Sequence, residues 1–238
     1  MPRRSRLVVV SDFVLSFTWL CSGVLVRLFV FKILGFSNTD DHVAEFMKLS
    51  FSIANMFLFA FLAKVSRGGA YNPLAVLVDA ITGDFCNFFF CVGFRIPAQV
   101  VGYIVGVKLV IGAIPEVGHG PRLNVDILQG ALTEGILTFV IVTTSLVLSA
   151  TRIHKSFFMK TWISSLSKLT LHILGSNLTG GCMNPASVMA WTYARGDPIT
   201  MEHIFVYWIA PVMATILAMC TFRLLVRRFK TGSKSKSD

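Results

Sequence analysis

The chain has 238 residues, of which 54% are apolar and only 14% charged, and 21 are phenylalanines. Soluble domains are about a quarter charged, so no water-soluble arrangement fits, and disorder, a disulfide-framed secreted module and a cytosolic enzyme are all disfavoured. The 22 Lys+Arg outnumber the 12 Asp+Glu by ten, but they cluster at the ends of apolar runs without interleaved exposed aromatics, which points to membrane topology and not to nucleic acid.

Six apolar stretches are long enough to cross about 30 Å of hydrocarbon: residues 8–34, 47–65, 85–110, 127–150, 157–175 and 203–226. Arg3, Arg4 and Arg6 precede the first, as in a signal peptide. That stretch is too long, holds Asp12 and Arg27 and has no small-residue cleavage site, so it reads as a helix. Two further pieces, 72–81 and 184–194, are too short. As helices they reach about 15 Å, half of the hydrocarbon. Each opens on Asn-Pro after a Gly-Gly pair. Asn is a favoured N-cap, and Pro is favoured at the first helical position because its missing N–H is no loss there. These pieces read as half-helices that enter the membrane and stop midway.

The connections alternate in charge. The amino end, the Lys64/Arg67 link, the Arg152/Lys155/Lys160 link and the tail hold 14 basic residues, counting Arg223. The other three hold four (Lys32, Lys48, Arg122 and Arg195) beside seven acids (Asp40, Asp41, Glu45, Glu116, Asp126, Asp197 and Glu202). Six spans with both termini cytosolic satisfy this bias. Five cysteines in apolar surroundings, without zinc spacing or a disulfide pattern, read as small buried hydrophobes.

The sequence also repeats. Gly68-Gly69-Ala70-Tyr71-Asn72-Pro73-Leu74 matches Gly180-Gly181-Cys182-Met183-Asn184-Pro185-Ala186 at an offset of 112. Asp12-Phe13-Val14-Leu15-Ser16-Phe17 matches Glu134-Gly135-Ile136-Leu137-Thr138-Phe139 at an offset of 122. Each half is three spans plus one half-helix, and three is odd, so the second half runs through the membrane the opposite way. The expected fold is all-α: six transmembrane helices and two re-entrant half-helices in an inverted 3+3 repeat. It forms a single channel domain with repeats 8–110 and 127–226 and a basic cytosolic tail, 227–238. The half-helices then enter from opposite faces and meet near the midplane, where irregular backbone requires burial or water, and this geometry implies a pore.

Two Asn-Pro-(Ala/Leu) boxes in two inverted halves, with the matching acidic motifs of the first and fourth spans, resemble the aquaporins, or major intrinsic proteins. The resemblance runs from Asp12 to Pro211. The short amino end, the basicity and the Asn-Pro-Leu first box look most like the second type of plant small basic intrinsic protein. It implies a passive channel for water and other small neutral solutes, a homotetramer with one pore per subunit in the lipid bilayer, and no cofactor. It also implies a four-position filter. Counted from the boxes, these positions fall on Ser52, His172, Gly181 and Ser187. The family's usual aromatic and arginine are here Ser52 and Ser187, so a wider, less positive constriction is expected.

Several side chains carry individual expectations. Asn72 and Asn184 each cap a half-helix through the side-chain oxygen while the amide NH2 donates to a water in file, and the two facing helix dipoles repel cations. Asp12 and Glu134, acids inside spans, read as acceptors for unpaired N–H groups of the re-entrant loops, with a proton relay as the alternative. Lys168 lies four residues before His172 and so shares its helix face. It either adds positive charge to the pore, pairs with Glu134 or snorkels toward the interface. The sequon Asn177-Leu178-Thr179 sits where the chain turns back into the membrane, and modification there is not expected. Lys234 and Lys236, five and three residues from the carboxyl end, resemble the dilysine address read by a retrieval coat of the endoplasmic reticulum. A solvated basic tail is the alternative.

No nucleophile–base pair, metal cluster or phosphate loop supports an enzyme. Two other readings stay open. One is an ion-coupled secondary transporter, disfavoured because no acid or hydroxyl cluster near the boxes offers an ion site. The other is a weakly conducting, channel-shaped scaffold of the endoplasmic reticulum membrane.

Overall fold

The computed structural model describes residues 3–36, 42–115, 120–151 and 155–234. The helices are α1 (Arg3–Leu28), α2 (His42–Val65), α3 (Pro73–Thr82), α4 (Phe85–Phe90), α5 (Ile96–Ala113), α6 (Ile127–Ala150), α7 (Phe157–Gly175), α8 (Pro185–Arg195), α9 (Met201–Ile204) and α10 (Ala210–Lys234). There is no strand among the described residues. The half-helices are α3 and α8. They begin at Pro73 and Pro185, with Asn72 and Asn184 in extended conformation as side-chain caps. The expected all-helical inverted fold is the one observed.

Two features differ from the sequence reading. Among the described residues, five helical stretches are long and apolar enough to cross a membrane by composition: Ser5–Ile33, His42–Val65, Phe85–Ala113, Ile127–Ala150 and Met201–Val226. The fifth expected span forms as α7 but is less apolar, since Lys160, Ser164, Ser165, Ser167, Lys168 and His172 interrupt it. In addition, α10 continues as helix to Lys234, so much of the expected tail extends the last span. Lys236 lies outside the described residues.

The last span of each half contains a π-helical turn, Cys91–Arg95 between α4 and α5 and Phe205–Ile209 between α9 and α10. A proline follows each, Pro97 and Pro211. A proline ring clashes with the carbonyl four residues back and offers it no N–H. Widening the preceding turn to i→i+5 bonding absorbs that conflict and keeps the span continuous.

Packing follows the inverted symmetry. In the first half α1 lies along α5, and in the second α6 lies along α10. Each half-helix then crosses over, α8 packing on α5 and α3 on α10. The α1–α5–α8 seam is the largest apolar cluster, with Leu20, Val24, Tyr103, Val107, Ala186, Ala190 and Trp191 buried together. Gly102 brings α5 so close to α1 that any side chain there meets the Phe13 carbonyl. Outward positions such as Leu25, Phe61, Phe94, Ile136 and Leu217 are exposed and apolar, the face a lipid-bathed helix presents. Of the five cysteines only Cys91 is buried. Cys86 and Cys220 lie on the outer surface, so the burial expected of them is not found.

Candidate pore and its lining

Both re-entrant loops hang from the buried carboxylates, Asp12 on α1 and Glu134 on α6. Asp12 Oδ1 accepts from the Ala70 N–H at 2.6 Å. Glu134, one methylene longer, reaches further: Oε1 accepts from Thr179 Oγ1 at 2.7 Å and the Cys182 N–H at 3.1 Å, and Oε2 from the Met183 N–H at 3.0 Å. The second loop is the more tightly held. In the first half the remaining capacity of Asp12 is taken by Arg95, whose Nε donates to Oδ2 at 2.7 Å and whose second guanidinium nitrogen also donates to the Gly68 carbonyl at 2.6 Å. Tyr207, at the 112-residue offset from Arg95, donates its hydroxyl to the Thr179 carbonyl at 2.9 Å. An ion pair and a neutral hydroxyl thus occupy equivalent places in the two halves.

The two caps are tied to each other. Asn72 Oδ1 accepts from the Leu74 N–H, and its Nδ2 donates to the Met183 carbonyl at 2.8 Å. Asn184 Oδ1 accepts from the Ser187 N–H, and its Nδ2 donates to the Tyr71 carbonyl at 3.0 Å. Each asparagine therefore bonds the residue immediately before the other. Met183 pays for this with a positive φ of 46°, a conformation unusual for a side-chain-bearing residue. The symmetry breaks at Tyr103 on α5, fully buried, whose hydroxyl accepts from Asn184 Nδ2 at 2.8 Å. A carboxamide nitrogen has two hydrogens. Asn184 spends both on protein, whereas Asn72 keeps one. Of the two amides expected to donate to a water in file, only that of Asn72 therefore has a hydrogen not taken by protein.

Three cavities surround these caps. The first, about 260 Å³, brings together Ser52, His172, Gly181 and Ser187 with Trp19, Asn184 and Lys168. His172 Nδ1 lies 3.1 Å from the Gly181 carbonyl, which only accepts, so Nδ1 carries a hydrogen and donates it there. Gly181 needs its glycine twice over: its φ is +52°, and a Cβ there meets the His172 carbonyl. The Ser52 hydroxyl donates to its own helix at Lys48, leaving only lone pairs for the cavity. A second cavity of about 500 Å³ lies on the other side of the caps, against Asn72, Leu74, Ser145 and Lys168. The third, about 400 Å³, opens between α2 and α7 and is lined by Lys64, Tyr71, Lys155, Lys160, Ser164 and Lys168, among others.

Lys168 borders all three cavities. Its ammonium sits 4.5 Å from the Trp19 ring centre and 5.2 Å from that of Tyr71, and the two rings are stacked at 4.3 Å. The expected pairing with Glu134 does not occur, because the loop donors take that carboxylate, and the amine does not snorkel. Cation–π contact with two rings holds it beside the caps. In the sequon, Asn177 lies exposed in the turn after α7 while Thr179 is fully buried on Glu134.

The model of the major intrinsic proteins matches residues 5–222. The chain belongs to the major intrinsic protein family. Among members of that family, the probable aquaporin SIP2-1 of Arabidopsis thaliana is 56% identical over 220 residues, 92% of either chain. Aquaporin SIP2-1 of Zea mays is 48% identical over 220 residues, 92% of this chain and 87% of the maize protein. The X-ray structure of the aquaglyceroporin from Plasmodium falciparum superposes with a TM-score of 0.68 over 92% of this chain and 95% of that one, at 19% identity, a likeness of fold. The resemblance to the second type of plant small basic intrinsic protein is borne out, and this major intrinsic protein is an integral, multi-pass membrane protein with the fold of a channel.

Arg95 and Tyr103 were not singled out in the sequence. Arg95 had a signal, a cation deep within an apolar span that asks for a buried acid, and Asp12 was available. Tyr103 had none, since a tyrosine in a span is ordinary until its partner across the fold is known.

Proposed function

We propose that this chain is a passive channel for water and other small neutral solutes in the endoplasmic reticulum membrane, assembled as a homotetramer with both termini cytosolic. The observation that supports this most is the pair of mutually bonded caps with cavities on either side. Together with the names of its plant relatives, it favours a continuous path past Asn72. Ser52, His172, Gly181 and Ser187 form the narrowing. With two serines and no arginine among them, it is expected to admit solutes larger than water. Asp12 and Glu134 act as loop supports, and Lys168 supplies the positive charge. The test is osmotic shrinkage of proteoliposomes, first with water and then with a panel of small neutral solutes. Flux above that of empty vesicles, independent of any ion gradient, is expected. Gradient-coupled uptake indicates a secondary transporter, and flux no faster than empty vesicles indicates a scaffold.

Residence in the endoplasmic reticulum is assigned to the carboxyl end, where Lys234 and Lys236 present the spacing a retrieval coat reads. Changing both to Ser is expected to raise the surface fraction several-fold, measured by surface biotinylation, without loss of total protein. An unchanged distribution identifies the tail as solvated charge only.

A further inference from the structure

The cavity between α2 and α7 is set apart by what lines it. Lys64 comes from α2, Lys160 and Lys168 from α7, and Lys155 from the segment before α7. Four lysines from three parts of the chain therefore line about 400 Å³, the Lys160 ammonium also donating to Ser149 Oγ on α6 at 3.4 Å. No carboxylate lines that space, and among the described residues none lies within ion-pair distance of these four amines. Two of the amines are held by apolar partners instead, Lys64 over the Phe157 ring at 5.6 Å and Lys168 over Trp19 and Tyr71. The wall between them bears hydroxyls. Thr161 and Ser165 are 7% and 3% exposed, and with Ser164 they line the cavity without a hydrogen-bond partner among the described residues. A basic membrane-proximal surface by itself needs only scattered charge facing water. Here four like charges, of which Lys64 and Lys155 are open to solvent, converge on one recess beside nearly buried, unused hydroxyl donors, an arrangement that an entering anion stabilises.

We propose that this recess is a binding site for a phosphate group. The chemistry fits that class: a tetrahedral oxyanion with several acceptor oxygens takes charge-assisted bonds from ammonium groups and neutral bonds from the three hydroxyls. The volume exceeds that of one phosphate, so the group is borne on a larger body, either a soluble phosphorylated molecule or a lipid headgroup entering between α2 and α7. Because Lys168 borders both the recess and the cavities around the caps, an occupied site draws its ammonium away from Trp19 and Tyr71 and obstructs the path. That consequence rests on the channel reading, whereas the binding does not.

The experiment uses the full chain in phosphatidylcholine nanodiscs, titrated with inorganic pyrophosphate and followed by calorimetry, with sodium chloride of equal ionic strength as the control. Saturable binding is expected, weakened at least tenfold in the Lys64→Gln/Lys160→Gln double variant and largely kept in Lys64→Arg/Lys160→Arg. The second arm asks whether spin-labelled phosphatidate associates more with the wild type than with the Gln variant. Pyrophosphate binding lost in the Gln variant assigns the site to a soluble ligand. Phosphatidate preference without pyrophosphate binding assigns it to a headgroup. The proposal is overturned if neither is seen, if chloride gives the same response as pyrophosphate, or if the Gln variant binds as the wild type does. Water flux in vesicles is read separately, so an inactive channel and an empty recess remain distinguishable.

Discussion

Glu134→Ala is expected to leave almost no monodisperse protein after extraction, with under a tenth of the wild-type yield by size-exclusion chromatography. One carboxylate serves three donors, the Thr179 hydroxyl and the Cys182 and Met183 N–H groups, in a place with little water. Each buried donor left unpaired costs about 1–3 kcal/mol. Three together approach the 5–15 kcal/mol that holds a whole domain folded. Glu134→Gln is the informative companion. It keeps one carbonyl oxygen but turns an NH2 toward an N–H, so its yield is expected between the two. Wild-type yield from the alanine variant would show that water replaces the carboxylate and that the loop does not depend on it.

Lys168→Ala carries the second large effect, this time on permeation. The amine sits where three cavities meet, held by Trp19 and Tyr71 next to the capped half-helices. It is the charge closest to replacing the arginine that Ser187 displaces. Its removal is expected to raise cation leak about tenfold, which corresponds to only about 1.4 kcal/mol of barrier. That is modest beside the several kcal/mol two unit charges exchange at close range in a partly dry site. Neutral-solute flux should hold or rise, since the shorter side chain widens the junction. Potassium leak from dye-loaded vesicles measures the first and osmotic shrinkage the second. Unchanged leak with unchanged flux would remove Lys168 from the permeation path.

What could be read from the residues was whatever depends on local chain chemistry. The half-helices were legible because Asn-Pro after Gly-Gly dictates a cap and a first turn within four residues. The inverted topology followed from counting spans, and the shared face of Lys168 and His172 from a spacing of four. Geometry across the fold was not legible. Whether Lys168 meets Glu134, a lipid interface or two aromatic rings depends on where α1 and the first loop fall against α7, which no spacing on α7 encodes. The second hydrogen of Asn184 was misjudged for the same reason, since Tyr103 lies 81 positions away and bears no mark of its role. The π-helical turns were foreshadowed by Pro97 and Pro211, but a proline alone does not say whether a helix will break, kink or widen.

The crossing of the half-helices also bears on how the protein is made. Val76 and Ala80 of α3 pack within their own half on Phe90, Cys91 and Ile96, but another part of α3 is covered by α10, made after every other helix described. The roughly 130 residues from Thr82 to Ala210 take on the order of ten seconds to synthesise at about 5–20 residues per second. Throughout that interval the first half holds a short helix that does not span the bilayer and is covered on one side only, so it depends on the insertion machinery for shelter. The second half has no such wait, because α5 is in place before α8 emerges. Two halves that mirror each other in space are therefore unequal in time, and chains that stall before the final span expose the first half to quality control.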